Sequence, residues 1–304
     1  MATWNARSLF HHDPALRSRK RGFLCRLLGQ ANIVCLQESH GSDSDIRDSL
    51  SHESKHFSFF PSFCTNSDSG GVITIIRTSL LLGSAHSSSP LVPGRVLRTC
   101  VTKGQCKWVI YNVHNHGISE PDLESVIEAL SADILLARNH PEAVTLAVLG
   151  DFNFCAPSES RLKLEAPEGL APNAVGNRAA VRRWQSALGQ LVEIQQGSPT
   201  HYCAGSHSMT RLDRVYVSIP PYMLTMMSAK CTVTCCPRWS HDKRLSDHAP
   251  VACALSPRTV VSADSQPIPA YVFKLPGFAS IHKIGRAHVL NSSHSQQSRM
   301  PSSA

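Results

Sequence analysis

The sequence predicts an α+β fold, a four-layer α/β sandwich in which two packed β-sheets are flanked by helices. Three observations predict it. Short apolar segments of strand length recur along most of the chain, a few stretches place apolar residues at helical spacing, and strands and helices do not alternate strictly. Because each such element buries one face, packed sheets with helices on the outside satisfy all of them together.

The first half of the chain predicts one helix followed by several strands. Asp13 is a suitable helix N-cap and Pro14 a suitable first helical residue, and Gly29 ends the apolar repeat. The strands are predicted at residues 33–36, 57–63, 72–76, 96–101 and 108–114.

The second half predicts further helices between strands. Ser119 caps a helix whose apolar residues share one face, and a second helix is predicted from about residue 177 to residue 188. A proline-rich loop is predicted at residues 156–175. The strands are predicted at residues 144–149, 212–217, 230–234 and 250–255.

The length of 304 residues fits one large domain or two ordinary ones. We predict one domain over residues 1–256 and a polar linker over residues 257–283. Residues 284–304 contain no acidic residue and resemble a translation of sequencing-adapter DNA. We therefore expect a non-native, disordered tail and a chain that is a fragment.

The amino-acid composition limits the kinds of binding partner and the cellular compartment that we expect. The net charge of +8 favours a polyanionic partner. No segment reaches the ~18–20 apolar residues of a membrane helix, and the N-terminus lacks the apolar run of a signal peptide. The eleven cysteines are odd in number and lie mostly in apolar runs, which favours buried thiols over disulfides. We expect a soluble intracellular protein without membrane contact.

Polar residues at the ends of apolar strands are the strongest functional signal. A strand interior has no use for them, whereas a site at the edge of a sheet does. Each alone has an ordinary explanation as a cap, a turn or a salt bridge, but their recurrence favours a site. They are Asn5, Glu38, Asn112, His114, Asp151, Asn153, Asp213, Asp247 and His248.

The types of these residues indicate a chemistry. Oxygen ligands without thiols suit a hard cation, Mg²⁺ or Mn²⁺. A histidine beside an aspartate suits proton transfer or charge stabilisation, and a second carboxylate can fix the tautomer of that histidine. Hydrolysis of a phosphodiester needs such parts together: a metal, an activated water and help for the leaving oxygen.

The order of the motifs resembles the endonuclease/exonuclease/phosphatase superfamily over residues 3–255. Within it, NARSL, RLDRVYVS and SDHAPV are most similar to the endonuclease domain of LINE-type (non-LTR) retrotransposons. The segment after residue 266 weakly resembles the connection of such endonucleases to a reverse transcriptase. The superfamily motifs are TWN, LQES, NVH, LGDFN, RLDRV and SDHAPV.

The resemblance implies a metal site and an activated water. Asn5 and Glu38 resemble the metal pair, with Glu38 as the direct ligand, and Asp247 resembles a further carboxylate on the metal side. Asp151 resembles the residue that orients or deprotonates the attacking water.

The resemblance also implies contacts to substrate. His248 corresponds to the histidine that touches the scissile phosphate, and Asp213 to the acid that hydrogen-bonds it. Asn153 resembles the catalytic amide that holds the phosphate or the nucleophile, Asn112 is assigned with it to substrate binding, and the catalytic His114 falls near the leaving-group oxygen, where relatives have His or Tyr. After His114, this chain lacks the Tyr-x-Pro-Asn pattern of many DNA-acting relatives, and its first strand is short.

The function implied is a Mg²⁺- or Mn²⁺-dependent endonuclease of a retroelement that nicks duplex DNA, is fused to a reverse transcriptase and acts at least transiently in the nucleus. The alternatives are a repair nuclease acting at abasic sites, an inositol or lipid phosphatase, and a non-catalytic remnant that binds nucleic acid.

Three weaker signals have competing interpretations. The basic run at residues 17–21 is a nuclear address, a phosphate contact or, in our preferred interpretation, a solvated helix face. Trp184 either touches nucleic acid or packs in the core. A zinc site is the less favoured interpretation of four residues whose spacing is not standard: Cys231, Cys235, Cys236 and His241.

Overall fold

The computed structural model describes residues 1–66, 68–155, 161–163, 170–171 and 178–257. The described part forms one unit that ends at Pro257. The predicted tail, the predicted linker beyond residue 257 and most of the predicted loop at residues 156–175 lie outside the described residues.

The first sheet has six strands: β1 (Ala2–Asn5), β2 (Ile33–Gln37), β3 (Phe57–Ser62), β4 (Val72–Arg77), β15 (Met227–Val233) and β16 (Val251–Pro257). Their order across the sheet is β15-β16-β1-β2-β4-β3. In this sheet β1 and β2 run parallel, and the remaining neighbours are antiparallel.

The second sheet also has six strands: β5 (Ala85–Val92), β6 (Val96–Lys103), β7 (Cys106–His114), β8 (Val144–Asp151), β11 (Val192–Glu193) and β14 (Asp213–Val217). Their order across the sheet is β11-β14-β8-β7-β6-β5. Here β7 and β8 form the parallel pair. A four-stranded third sheet consists of β9 (Arg161–Lys163), β10 (Leu170–Ala171), β12 (His201–Cys203) and β13 (Ser208–Thr210).

The two long helices form as their caps predict. The side chain of Asp13 accepts the backbone N–H groups of Ala15 and Leu16, and the side chain of Ser119 accepts that of Asp122. No helix among the described residues is long and apolar enough to cross a membrane. The helices are α1 (Pro14–Gln30), α2 (Asp43–Ser49), α3 (Thr78–Leu81), α4 (Glu120–Asn139), α5 (Arg178–Leu188), α6 (Pro221–Thr225) and α7 (Pro237–Asp242), with 3-10 turns at Glu53–Lys55 and Ala204–Ser206.

Three apolar clusters correspond to the three contacts between the four layers. One joins α1 to the outer face of the first sheet, through Leu24 and Val34 among others. Another joins α4 and α5 to the second sheet, and Trp184 lies fully buried within it. The third contains Cys35 from the first sheet and Ile110 from the second, so it is the core between the sheets. The predicted four-layer sandwich is confirmed.

Candidate active site

The topology brings the ends of four strands to one edge of the sandwich. Parallel pairing of β1 with β2 sets Asn5 opposite Gln37, and parallel pairing of β7 with β8 sets His114 opposite Asp151. Antiparallel β14 begins there, with Asp213 opposite Asp151. Polar residues from both sheets therefore meet because the strands that carry them end, or begin, at the same edge.

Asn5 links the two sheets through its side-chain amide. Its Nδ2 donates to Glu38 Oε1 at 3.1 Å and to Asp151 Oδ2 at 3.0 Å. Asn5 is buried, whereas the Glu38 side chain is 26% exposed. One amide nitrogen thus holds a carboxylate from each sheet, and the Glu38 carboxylate keeps access to the surface.

His248 lies between two buried carboxylates. Its Nδ1 is 2.8 Å from Asp213 Oδ2, and its Nε2 is 3.7 Å from Asp151 Oδ2. Burial on its own would lower the pKa of His248, but the negative charges of Asp213 and Asp151 raise it to about 10. Burial raises the pKa of Asp213, and the facing imidazolium opposes that rise. The pair holds a protonated imidazole with its Nε2 turned toward Asp151.

His114 is the second histidine of the site and has a different neighbourhood. Its Nε2 lies 3.1 Å from Glu38 Oε1, without the alignment of a hydrogen bond, and its Nδ1 lies 2.8 Å from the Arg95 guanidinium. Burial would raise the pKa of Glu38, but His114 and Asn5 lower it to about 2. Glu38 is therefore a carboxylate at neutral pH.

Asp247 is paired within the protein. Its Oδ2 lies 2.5 Å from the Arg7 guanidinium and 3.8 Å from His201 Nε2. Burial opposes ionisation, but His201, His248 and Arg7 together hold the pKa of Asp247 well below its usual range. The ring of His201 also lies 4.6 Å from that of His248. Asp247 thus lies beside the site as an ionised carboxylate whose charge is balanced by Arg7.

The two predicted substrate amides have opposite environments. Asn153 is exposed, and its backbone N–H donates to Asp151 Oδ1 at 2.9 Å. Asn112 is fully buried between the sheets: Gln37 donates to its Oδ1 at 2.7 Å, and its Nδ2 donates to the Leu36 carbonyl at 3.1 Å. These contacts are at odds with the predicted contact of Asn112 to substrate, because its amide joins the sheets and has no exposed surface.

Backbone strain concentrates around the site. Four non-glycine residues there have left-handed conformations, which L-residues adopt at a cost of about 1–3 kcal/mol each. These strained turns place the side chains that follow β1, β2 and β8 around the partly exposed carboxylate of Glu38, and we call this edge of the site the mouth. The residues are Arg7 (φ 42°), Ser8 (φ 68°), Glu38 (φ 48°) and Asn153 (φ 52°).

Several contributing residues were missed from the sequence. Lys20 belongs to the basic run expected on a solvated helix face, yet it is 3% exposed, donates to the carbonyls of Ala6 and Arg7, and has its pKa lowered to about 8 by burial. The Ser246 hydroxyl donates to the Asn5 carbonyl at 2.7 Å. A signal for Lys20 was present, because it shares a helix face with Leu16 and Leu24.

The donor set fits a hard divalent cation. The mouth contains the ionised carboxylate of Glu38 next to Asp151, with the amide of Asn5 between them. Within the described residues, one compact group of possible ligands is found, formed by Asp151, Asp213 and His248, but the protonated His248 already faces both of these carboxylates. Glu38 and Asp151 therefore supply the carboxylate oxygens, which are the ligands that Mg²⁺ and Mn²⁺ prefer. When bound, such an ion would supply Lewis-acid polarisation of a phosphate oxygen.

The structure offers simpler explanations for two weaker sequence signals, the possible zinc ligands and Trp184. The cysteines proposed for zinc and His241 form no compact ligand group in the part of the chain that is described. Trp184 is buried, lies edge-to-face with Phe152 at 5.5 Å, and donates to Asn115 Oδ1 at 3.1 Å. No disulfide occurs among the described cysteines.

A model of the Endonuclease/Exonuclease/phosphatase family matches residues 2–248. No curated protein sequence matches the chain. Among solved structures, the AP endonuclease LMAP from Leishmania major is 16% identical, with a TM-score of 0.60, and the match covers 84% of this chain and 86% of that one.

Two further solved structures are similar over 84% of this chain and 98% of their own. The 3′-5′ exonuclease NExo from Neisseria meningitidis is 18% identical with a TM-score of 0.53. An AP endonuclease from Archaeoglobus fulgidus is 16% identical with a TM-score of 0.54. At these identities the likeness establishes the fold, and it agrees with two packed sheets flanked by helices.

Proposed function

The chain belongs to the Endonuclease/Exonuclease/phosphatase family of metal-dependent hydrolases acting on phosphate esters, and we propose that it nicks duplex DNA as the endonuclease of a retroelement. The observation that carries the proposal is the buried His248–Asp213 pair at 2.8 Å, set beside Asp151 and the Glu38 carboxylate. A protonated imidazole next to carboxylates is suited to stabilise a phosphate while water is activated nearby.

Each side chain has a task that its environment supports. Glu38 and Asn5 would hold a divalent cation, and that ion would supply Lewis-acid polarisation of a phosphate oxygen. Asp151, held by Asn5 and by the Asn153 backbone, would orient the attacking water. His248 would donate to a non-bridging phosphate oxygen, with Asp213 fixing its ring. Asp247, neutralised by Arg7, is better suited to support the mouth than to bind metal directly.

Charge and likeness support a nucleic-acid substrate. The chain carries a net charge of +8, and Arg7, Arg95 and His201 contact site residues. Basic side chains around a mouth would bind the phosphates of a duplex and release counterions. One similar structure, the 3′ phosphatase NExo from Neisseria, was solved with a product DNA hairpin.

The metal step is tested by nicking of supercoiled plasmid with Mg²⁺, with Mn²⁺ and with EDTA. We expect nicking with either metal and none with the chelator. Glu38→Gln should abolish nicking, because it removes the charge that holds the cation, whereas Glu142→Gln, at an exposed position, should not change it. Undiminished cleavage in EDTA would overturn the proposal.

The substrate is tested separately from the chemistry. A His248→Ala protein should lose nicking but keep duplex binding, and that binding should weaken steeply as salt rises. Release of phosphate from inositol phosphates, together with duplex binding that is absent or insensitive to salt, would favour a phosphatase instead.

A repair nuclease acting at abasic sites is the second candidate. Two of the similar structures are AP endonucleases, which favours it. A duplex oligonucleotide with one abasic analogue, compared with the same duplex intact, separates the candidates. Cleavage confined to the abasic strand would assign the repair role, and equal nicking of both duplexes would exclude it and leave the retroelement role ahead.

The retroelement assignment rests on NARSL, RLDRVYVS and SDHAPV. It implies a reverse transcriptase on the same polyprotein and action on nuclear DNA. The genomic DNA downstream of codon 283 tests it directly: a reverse transcriptase reading frame is expected there, and an unrelated reading frame would leave the repair role ahead.

A further inference from the structure

Cys231 and Cys253 face each other across two neighbouring strands of the first sheet. Cys231 lies on β15 and Cys253 on β16, and the antiparallel register sets them directly opposite each other. Both side chains are buried in the apolar cluster between the two sheets, and both are free thiols. The chemistry proposed above does not use this pair.

The backbone brings the two cysteines into the closer of the two antiparallel arrangements. The Cys253 N–H donates to the Met1 carbonyl, and the Cys253 carbonyl accepts from the Met1 nitrogen, both at 2.8 Å. Because both backbone groups of Cys253 point toward β1, Cys231 and Cys253 are a non-hydrogen-bonded pair of their ladder. Residues paired in this way have Cα atoms about 4.5 Å apart, within the range of about 4.4–6.8 Å that a disulfide spans. A disulfide is therefore compatible with the strand pairing as it stands.

The two thiols differ in acidity because they are neighbours. Cys253 and burial raise the pKa of Cys231, whereas Cys231 lowers the pKa of Cys253 against the effect of burial. The Cys231 S–H thus stabilises negative charge on the Cys253 sulfur, which makes Cys253 the nucleophile of the pair. Cys35 shares the cluster but lies on β2, which β1 separates from β16, and burial raises the pKa of Cys35 to about 12. Cys35 is therefore the matched inert thiol.

A cavity of about 480 Å³ gives a small oxidant access to Cys253, which is one of the residues that line it. The cavity lies where β2 and β7 begin, whereas the candidate active site lies where these strands end. Cys106 and Trp108 also line the cavity and are exposed, so the cavity reaches the surface. A peroxide is only slightly larger than a water molecule, which needs about 30 Å³, and it fits there easily.

We propose that Cys231 and Cys253 are an oxidation site, at which hydrogen peroxide converts the two thiols to a disulfide that closes the chain segment 231–253. The Cys253 sulfur attacks one peroxide oxygen, the O–O bond breaks, water leaves and Cys253 becomes a sulfenic acid. The Cys231 sulfur then attacks the Cys253 sulfur, the S–O bond breaks, and a second water leaves with the Cys231 proton. The two thiols lose two electrons and two protons, and the peroxide takes them up as two waters.

The disulfide would stabilise the segment that holds His248. Segment 231–253 leaves β15, forms α7, passes through residues 246–248 and returns as β16. The Ser240 hydroxyl of α7 donates to the His248 carbonyl at 3.1 Å, so the folded segment supports His248. Closing a segment of the chain lowers the entropy of the unfolded state, and the effect grows with the length of the closed loop. Oxidation should therefore make the protein harder to unfold, and this inference does not depend on the proposed function.

Peptide mass spectrometry tests the pairing. The reduced, folded full-length protein is treated with hydrogen peroxide, its remaining thiols are blocked, and it is digested with trypsin. We expect a disulfide between the tryptic peptides 231–238 and 245–258, and Cys253 is the only cysteine of the second peptide. The first peptide also contains Cys235 and Cys236. A double variant, Cys235→Ser with Cys236→Ser, is therefore the matched control and should keep the link, whereas Cys231→Ala should lose it.

The absence of the linked peptides from the oxidised wild type, or a link that persists in Cys231→Ala, would overturn the proposal. Cys106→Ser, at the exposed side of the cavity, should keep the link, because Cys253 reacts with the peroxide directly. A link that requires Cys106 would overturn the proposal equally. If Cys231→Ala does not fold, Cys231→Ser serves instead, and the link must again be lost.

Urea unfolding tests the consequence of the disulfide. The oxidised wild type should have a urea midpoint about 1 M higher than the reduced protein, and dithiothreitol should reverse the shift. Cys35→Ala, which removes a buried thiol outside the pair, should keep the shift, whereas Cys231→Ala should show the same midpoint with and without peroxide. Linked peptides without a higher midpoint would refute the stabilising role. Neither measurement uses DNA, so a protein that forms the disulfide but does not nick would refute the proposed function alone.

Discussion

Two buried carboxylates of this protein look alike and differ in chemistry. Asp213 lies 2.8 Å from His248 at the edge of the sandwich. Asp133 of α4 binds Arg98 through two hydrogen bonds of 2.6 and 2.8 Å and accepts the Tyr111 hydroxyl at 2.7 Å. Both are buried and both face a cation, so burial and pairing alone do not identify a site.

The difference lies in the partner. Arg98 cannot release its proton under any ordinary condition, and the pKa of Arg98 is raised further by Asp133. Burial would raise the pKa of Asp133, but its bonds to Arg98 and Tyr111 lower it. His248, in contrast, can exchange a proton and faces a third group, Asp151, across 3.7 Å. We call the Asp133 cluster closed, because its groups hydrogen-bond one another, and the Asp213 cluster open, because His248 Nε2 lies beyond hydrogen-bond distance of Asp151.

The largest expected effect lies at the open cluster. His248→Gln should lower the nicking rate by about 1000-fold, since an acid–base group typically contributes 10²–10⁴. Asp133→Asn, at the closed cluster, should leave the rate within about threefold, because it lies outside the site. Rates measured on supercoiled plasmid at equal metal concentration compare the two. Equal losses in both variants would mean that the clusters do not differ in role.

Gly150 tests how the open cluster is built. It precedes Asp151 with φ 150°, and a Cβ atom there would lie 1.9 Å from the Val113 carbonyl. Gly150→Ala should therefore separate β7 from β8, lower the free energy of unfolding by about 3 kcal/mol and disable the site. Gly22→Ala is the matched control: it has free space within α1 and should stabilise the protein by about 0.5–1 kcal/mol. Urea unfolding reports both values.

The closed cluster should govern stability instead of rate. Asp133→Asn keeps the shape but leaves the half-buried Arg98 without its anion, which should cost about 2 kcal/mol. Exposed Glu142→Gln should cost less than about 0.5 kcal/mol. Chemical denaturation is the measurement, and a neutral Asp133→Asn would show that the pair contributes no net stability.

The sequence predicts the fold correctly where buried strands are written as runs of apolar residues. The strands β2, β4, β7 and β8 are apolar runs, and their predicted bounds agree with the observed ones within a few residues. Strand β5 was not predicted, because its exposed serines carry no apolar pattern. It forms because its backbone pairs with the antiparallel neighbour β6, and a local apolar pattern does not reveal that pairing.

The sequence predicted the candidate site residues from their positions at strand ends, and the structure places most of these residues near one edge of the sandwich. It could not predict how deeply each side chain is buried. Asn112 and His114 are two positions apart on β7, yet Asn112 contacts Gln37 between the sheets while His114 contacts Glu38. Arg95 lies outside every motif, and only the close turn at Gly94 brings it to His114.

The smallest expected effect is a pH dependence that the closed cluster alone should show. The pKa of Asp133 is lower in the folded chain than the ~3.9 of an unfolded aspartate. The unfolded state therefore binds its proton first as the pH falls, so the stabilisation is present above pH ~4 and is lost as the pH drops through the folded pKa. The difference in unfolding free energy between wild type and Asp133→Asn should shrink by about 0.7 kcal/mol between pH ~6 and pH ~3.5. A difference that stays constant over this range would mean that Asp133 is not held as an anion by Arg98, and the contrast between the two clusters would then have to rest on their positions alone.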